Sequence, residues 1–390
     1  IDDESTLTTS FEIDKEIDDN TNFNGAFTRY ENLSQQESDR YQYIFPQFNF
    51  YKTIEINPDY NGNFNFISSG HQKNYNTNVY EAQINNDFNF NSHDFISGTG
   101  LVTDYSLLLK NFNTYGKNST TYDEKNDHQI FGTALVKSEF PLKKKLENST
   151  NYLKPVLQAR FSPTSGKDIS SASFQMDYDA IFSKNRIGRS DMVEKGKSLT
   201  LGIEFEKQDL SNNKVLGLNV GNVIKDKKNN NLPSKSKLDQ TRSDIVGNAY
   251  YKLNNNLEID YNFSYDRDLD YSNYDSISTT FSVNNFVTEF NYITENNDFG
   301  DSEILGNQTK INFNNEHSLL FNTTKNLKTD FTQFYKLQYE YETDCLLATF
   351  EYKKKFYSNS QLQPDQSLSF LIKFIPFTEF RGSANTILND

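Results

Sequence analysis

Apolar and polar residues alternate with a period of two along most of this chain. Such a pattern restricts it to strands with one apolar and one polar face, because successive strand side chains point to opposite sides. Leu199, Leu201, Ile203 and Phe205 alternate with Thr200, Gly202 and Glu204. Leu257, Ile259, Tyr261, Phe263 and Tyr265 alternate with Glu258, Asp260, Asn262 and Ser264. Tyr335, Leu337, Tyr339 and Tyr341 alternate with Lys336, Gln338 and Glu340, and Leu368, Phe370, Ile372 and Phe374 with Ser369, Leu371 and Lys373. Between such runs lie clusters of Asn, Asp, Gly and Ser that favour turns. Asn254-Asn255-Asn256 reads as a tight hairpin, while Gly116–Asp127 and Lys225–Arg242 read as long polar loops. Helical periodicity with caps is essentially absent, and the runs add up to roughly 18 strands.

Amphipathic strands in this number could build a soluble sandwich, a solenoid or a barrel. A solenoid would carry a short exact repeat, and none is present. Sandwich strands average about 5–6 residues, whereas several runs here reach about the 9–11 residues that a tilted strand needs to cross a bilayer. Composition supports the barrel. Only 35% of residues are hydrophobic and the mean hydropathy is -0.77, yet 15% are aromatic, with 33 Phe, 24 Tyr and no Trp. Disordered chains are poor in aromatics; a barrel with a polar interior, an apolar outer band and aromatic girdles is rich in both classes. An AT-rich genome would also enrich Phe, Tyr, Asn, Lys and Ile, although it would not produce the alternation. The expected fold is all-β, an antiparallel transmembrane β-barrel of outer-membrane type. No apolar run is long enough for a membrane-spanning helix.

Several functions are disfavoured. A formal charge of -14 and a pI near 4.9 oppose nucleic-acid binding, which needs a basic footprint. Lys143-Lys144-Lys145 and Lys353-Lys354-Lys355 read as solvated strand ends that could also meet anionic lipid head groups. The single cysteine, Cys345, rules out an internal disulfide framework. His71, His93, His128 and His317 lie far apart without metal-ligand spacing. The charged loop Asn185-Arg186-Ile187-Gly188-Arg189-Ser190-Asp191 has no recognisable nucleophile or His partner, and reads as a loop held by ion pairs and hydrogen bonds. No catalytic residue, metal site or cofactor is expected, and nothing in the chain reads as an enzyme.

Certain segments go beyond generic alternation. Arg40–Phe50 reads RYQYIFPQFNF, Asn151–Pro163 reads NYLKPVLQARFSP, and Phe182–Phe205 reads FSKNRIGRSDMVEKGKSLTLGIEF. Arg242–Asp266 reads RSDIVGNAYYKLNNNLEIDYNFSYD, and Thr343–Phe374 reads TDCLLATFEYKKKFYSNSQLQPDQSLSFLIKF. In this order and spacing they resemble the C-terminal barrel of the LptD (OstA) family of lipopolysaccharide-assembly proteins. That family shows an arginine-tyrosine strand with a proline, an LxP strand, an Asn-Arg loop containing Asp, Glu and Gly before a strand, and a Cys–basic strand–Pro–final strand ending. The likeness runs from about Arg40 to Phe377. Taken alone, Pro46 and Pro155 simply mark bulges or weakly bonded positions, since proline lacks a ladder donor.

By that resemblance the chain sits in the outer membrane of a Gram-negative bacterium and places lipopolysaccharide in its outer leaflet. The head group would cross a polar lumen while the acyl chains leave through a lateral seam. The seam would be bordered by the last strand, Ser367–Phe377, with Ile375 and Pro376 near its end. Implied partners are lipopolysaccharide, outer-membrane lipids, periplasmic Lpt bridge proteins and a plug lipoprotein of the LptE type. Cys345 alone reads either as a small buried hydrophobe or as a thiol with a partner elsewhere; the resemblance implies a disulfide to an N-terminal periplasmic domain. The chain begins at Ile1 with no apolar leader. It therefore reads as the C-terminal part of a longer precursor, lacking the signal peptide, the periplasmic domain and the first strands. Residues 1–378 would form an incomplete barrel and 379–390 a tail. The alternatives are a general diffusion porin or other outer-membrane channel, and a soluble secreted β-sandwich adhesin.

Overall fold

A computed structural model of the chain describes residues 6–37, 39–55, 61–75, 78–164, 167–172, 174–297, 300–356, 365–375 and 378–385. Among them are 22 strands in one sheet. The first ten are β1 (Thr6–Asp18), β2 (Thr21–Asn32), β3 (Tyr41–Ile54), β4 (Gly62–Tyr75), β5 (Val79–Ser92), β6 (Phe95–Ile96), β7 (Val102–Lys117), β8 (Asp127–Glu139), β9 (Leu142–Lys145) and β10 (Thr150–Ser162). A single helical turn, α1 (Tyr178–Ile181), follows before β11 (Gly196–Gln208) and β12 (Lys214–Lys225). The remainder are β13 (Ile245–Leu253), β14 (Leu257–Tyr265), β15 (Ser272–Val283), β16 (Phe286–Asn297), β17 (Gly300–Asn312), β18 (His317–Asn326), β19 (Phe331–Glu342), β20 (Leu346–Lys355), β21 (Asp365–Phe374) and β22 (Thr378–Asn385).

Each strand pairs antiparallel with its sequence neighbour, as in an up-and-down barrel. Two interruptions modify this order. Strands β5 and β6 both lie along β7, and β8 and β9 both lie along β10. Part of the excess over the roughly 18 strands expected from sequence comes from counting these interrupted strands twice. Among the described residues, β1 pairs with β2, β22 pairs with β21, and no pairing joins β1 to β22.

The C-terminus departs from the expectation drawn from its sequence. The strand expected at Ser367–Phe377 is not the last: β21 is paired with β20 on one edge and with β22 on the other, through Ser367↔Asn385 to Phe374↔Thr378. The segment expected as a tail from residue 379 therefore contributes a strand as far as Asn385. Its sequence, TEFRGSAN, has one large apolar residue and ends in Gly, Ser and Asn, so alternation gives no signal there. Pro376 and Phe377 lie outside the described residues.

Both strand prolines fall at irregularities. Pro46 sits where β3 slips register against β4, between Ile44 and Gln47, and against β2, between Ala26 and Thr28. Pro155 falls where the neighbour of β10 changes from β9 to β8, and its carbonyl accepts the Phe140 N–H at 3.1 Å. A residue without an N–H is tolerated at such breaks.

The two faces of the sheet are solvated in the reverse of the usual sense. Leu199, Leu201 and Ile203 of β11 are 38%, 42% and 53% exposed, while Thr200 between them is 0% exposed. The same holds on β10, where Leu157 and Phe161 are exposed and Gln158 and Arg160 are buried. On β7 and β8, Leu107, Leu109 and Ile130 are exposed while Lys110 and Thr133 are buried. A water-soluble sandwich would bury its apolar face; a membrane barrel turns that face to lipid. Aromatics reinforce the outer face, with Tyr261, Phe263 and Tyr265 in ring contact along β14 and Phe66 4.8 Å from Phe88 between β4 and β5. No helix among the described residues is long and apolar enough to cross a membrane.

The connections divide into two ends. Tight turns, such as residues 254–256 and 284–285, lie at the end that also carries Cys345. The long connections, 118–126, 163–195 and 226–244, lie at the other. In outer-membrane barrels the short turns are periplasmic and the long loops extracellular.

Candidate functional site

The polar face is partly occupied by the chain itself. The described residues of the 163–195 connection between β10 and β11, and residues 226–244 between β12 and β13, fold back over β10–β13. Their apolar residues form the larger buried core: Ile169, Met176, Tyr178, Ile181, Met192 and Leu232, packed against Val223 and Val246 of the strands. Two glycines on the strands make room for this. A Cβ at Gly202 would lie 2.6 Å from the Phe182 ring, and one at Gly221 2.6 Å from Cδ1 of Ile181. A backbone bond from Ile169 N–H to the Asn231 carbonyl, 2.8 Å, joins the two loops.

The docked segment is held by a buried ion cluster centred on Glu194, whose side chain is 1% exposed. Arg186 lies 3.1 Å from the carboxylate, Lys225 of β12 3.3 Å and Arg160 of β10 4.0 Å. Each cation also satisfies backbone or hydroxyl acceptors. Arg186 donates to the Ile181 carbonyl at 3.0 Å and to Thr200 Oγ1 at 2.8 Å. Arg160 donates to the Glu194 and Lys184 carbonyls at 2.9 and 3.2 Å. Lys225 donates to the Leu238 carbonyl, so the second loop shares the cluster. Burial by itself would push the Glu194 carboxyl up; Arg186, Lys225 and Arg160 together hold it below the ordinary glutamate value.

Further contacts surround this centre. Arg189 grips Asp191 with two bonds of 2.8 Å, and Lys184 reaches Asn91 and Asn89 of β5 at 2.7 and 3.3 Å. Asp244, at the end of the second loop, accepts from Ser264 and Asn273 at 3.0 and 2.8 Å, and burial raises its carboxyl above the ordinary value. Beside the docked segment runs a row of alternating charge on the polar face. Lys137 lies 3.5 Å from Asp104 and 3.3 Å from Glu139, and Lys154 lies 3.6 Å from Glu139 and 2.8 Å from Glu204. Tyr178 closes the row by donating to Glu204 at 3.2 Å. The wall is thus charged and hydrogen-bonding, suited to polar solutes and hostile to acyl chains.

The expected loop of ion pairs at Asn185–Asp191 is present. That this loop docks, and that Glu194 and the β-strand residues Arg160 and Lys225 complete its ion pairs, is not visible in the sequence pattern. One signal was available: both methionines of the chain, Met176 and Met192, lie in this stretch, and a solvated loop has no use for them. Cys345 lies between β19 and β20, free and exposed, with its carbonyl accepting the Ile375 N–H at 2.9 Å. Cys345 and the Ser367–Phe374 strand are therefore neighbours at the short-turn end, far in sequence from the Glu194 cluster. Among the described residues, no group of His, Cys, Asp and Glu has metal-binding geometry.

Among solved structures, the chain is similar to a ferric enterobactin receptor of Pseudomonas aeruginosa, with 7% identity, a TM-score of 0.49, and coverage of 99% of this chain and 73% of that one. The siderophore receptor PirA of the same organism gives 9% identity, a TM-score of 0.49 and the same coverage. PirA of Acinetobacter baumannii gives 8%, 0.47, and coverage of 97% and 73%. No curated protein sequence matches the chain. The family model of LPS transport system D matches residues 2–317, which include the docked loops, the Glu194 cluster and the strands around them. The chain belongs to the LptD family, the lipopolysaccharide transport proteins of the Gram-negative outer membrane.

Proposed function

We propose that this barrel passes the lipopolysaccharide head group along its polar face and releases the acyl chains through a lateral seam. Family membership carries lipopolysaccharide transport; the inverted faces support the route. An amphiphile needs a polar path for its sugars and a dry one for its tails, and burying either part in the wrong medium is costly. The charged row from Asp104 to Glu204 offers the first, and the exposed apolar band offers the second. The C-terminal hairpin β21–β22, which includes the strand read from sequence as Ser367–Phe377, borders the seam. Every step is binding and movement, with no covalent chemistry. A plug lipoprotein of the LptE type and periplasmic bridge proteins complete the machine.

The contrasting reading is a general diffusion porin, and conductance separates the two. In a planar bilayer the full-length protein should show no steadily open state, because residues 163–195 and 226–244 dock across the polar face. A stable ohmic pore at low voltage would favour the porin.

Cys345 is the second element of the proposal. It is exposed at the end assigned to the periplasm, an oxidising compartment. Its position fits a disulfide to a cysteine of an N-terminal periplasmic domain in a longer precursor. Non-reducing electrophoresis of the full-length protein should show a mobility shift that Cys345→Ser abolishes; identical mobility of the two would sink this assignment.

A further inference from the structure

At the long-loop end, a cleft of about 420 Å³ opens where the two docked loops part. Met192, Val193 and Leu232, all fully buried, pack beneath it and fix its base. Its rim is basic: Lys167, Lys195, Lys227 and Lys228 line it, with Asp226 the acidic residue among them. Asp226 is engaged, since its carboxylate accepts the Lys197 N–H at 3.4 Å. Lys167 lies 3.6 Å from Asp191 and over the Phe112 and Tyr122 rings. Lys195, Lys227 and Lys228 are exposed and, among the described residues, form no ion pair. In a chain with a net charge of -14, four lysines around one small cleft run against the overall charge.

We infer that this cleft binds a phosphorylated saccharide. Ammonium groups are compact point charges that suit phosphoryl oxygens. The lining Asn229 and Asn231 carry amides that can pair with sugar hydroxyls. The cleft faces the end where a transported head group would emerge. That the physiological ligand is the phosphorylated sugar of a glycolipid rests on the proposed transport route; binding of a free sugar phosphate does not.

The test is equilibrium binding to the detergent-solubilised full-length protein, with glucose 6-phosphate and glucose as probes. Wild type should bind glucose 6-phosphate and not glucose, with affinity falling as salt rises, because exposed charges are screened. The triple variant Lys195→Gln, Lys227→Gln, Lys228→Gln should bind at least ~10-fold more weakly. Unchanged heat-modifiable gel mobility would show that the variant is folded. Lipopolysaccharide should displace the sugar phosphate, and its enzymatically dephosphorylated form should not; displacement by neither would overturn the glycolipid assignment. Equal binding by wild type and variant, or equal affinity for glucose and its phosphate, would overturn the cleft itself. Tighter binding of polyglutamate than of the sugar phosphate would also overturn it, in favour of an acidic protein partner. None of these outcomes touches the conductance test, so failure of the cleft and failure of the transport reading are distinguishable.

Discussion

Glu194→Gln is expected to release residues 163–195 from the polar face while leaving the sheet intact. The substitution keeps shape and removes charge, so Arg186, Arg160 and Lys225 remain buried around a neutral amide. Removing one partner of a buried ion pair costs about 3–5 kcal/mol, because the remaining charge stays desolvated. That shifts the docking equilibrium by roughly two to four orders of magnitude. The readout is tryptic cleavage after Arg186, which is fully buried in the docked form. Cleavage should accelerate strongly in the variant while heat-modifiable mobility persists. Unchanged protection would show that the apolar core of Met176, Ile181 and Met192 holds the loop without the ions.

Acid should mimic the variant. The Glu194 carboxyl lies below its ordinary value of 4.5 when docked. A carboxylate with a depressed folded value contributes its full stabilisation above the unfolded value and loses it as pH falls through the folded one. Asp191 shifts the same way: burial alone would raise it, and Arg189 and Lys167 outweigh that. Protection of Arg186 should therefore be constant at neutral pH and fall below about pH 4.5 in wild type.

The second large effect concerns the seam. Tying the β21–β22 hairpin covalently to the strand that faces it in the full-length barrel, or deleting the hairpin, should abolish delivery of lipopolysaccharide to the outer leaflet. A seam opens only by parting backbone hydrogen bonds, and a covalent tie removes that possibility whatever the pairing strength. Reduction of an engineered disulfide tie should restore delivery. Normal surface lipopolysaccharide with the tie intact would exclude this hairpin as the border. Because β21 is paired on both edges, the strand edges without a partner among the described residues are those of β1 and β22, not that of the strand read from sequence as last.

Much of the fold was legible because a membrane barrel writes its solvent on both faces of every strand. The runs at Leu199–Phe205, Leu257–Tyr265 and Tyr335–Tyr341 became β11, β14 and β19 with their apolar residues outward. Turn chemistry was equally direct at Asn254-Asn255-Asn256, where Asn254 adopts a left-handed φ of 56°. β22 was not legible, because eight residues with one large apolar side chain have no period to detect. Nor was the docking of residues 163–195. Its buried residues are spaced irregularly, as irregular loops dictate, and the ions that hold it come from three distant segments. Gly202 reads as an ordinary polar-face residue of its alternating run; only the Phe182 ring and the Tyr178 hydroxyl above it, and Ile181 above Gly221, show why both positions lack a side chain.

On the proposed route the polar face carries the lipopolysaccharide head group and the apolar face does not. Site-specific photo-crosslinking in cells producing the full-length protein tests it directly. A photoreactive side chain should be placed at Asn248, which receives a hydrogen bond from Asn219 across the polar face, and at Lys336, paired there with Glu351 at 2.7 Å. Control positions are Ile203 and Leu337 on the exposed apolar face. The polar-face positions should yield lipopolysaccharide adducts that disappear when supply from the periplasm stops, and the controls should not. Adducts confined to Ile203 and Leu337, or absent from Asn248 and Lys336 during active export, would exclude the polar face as the path of the head group.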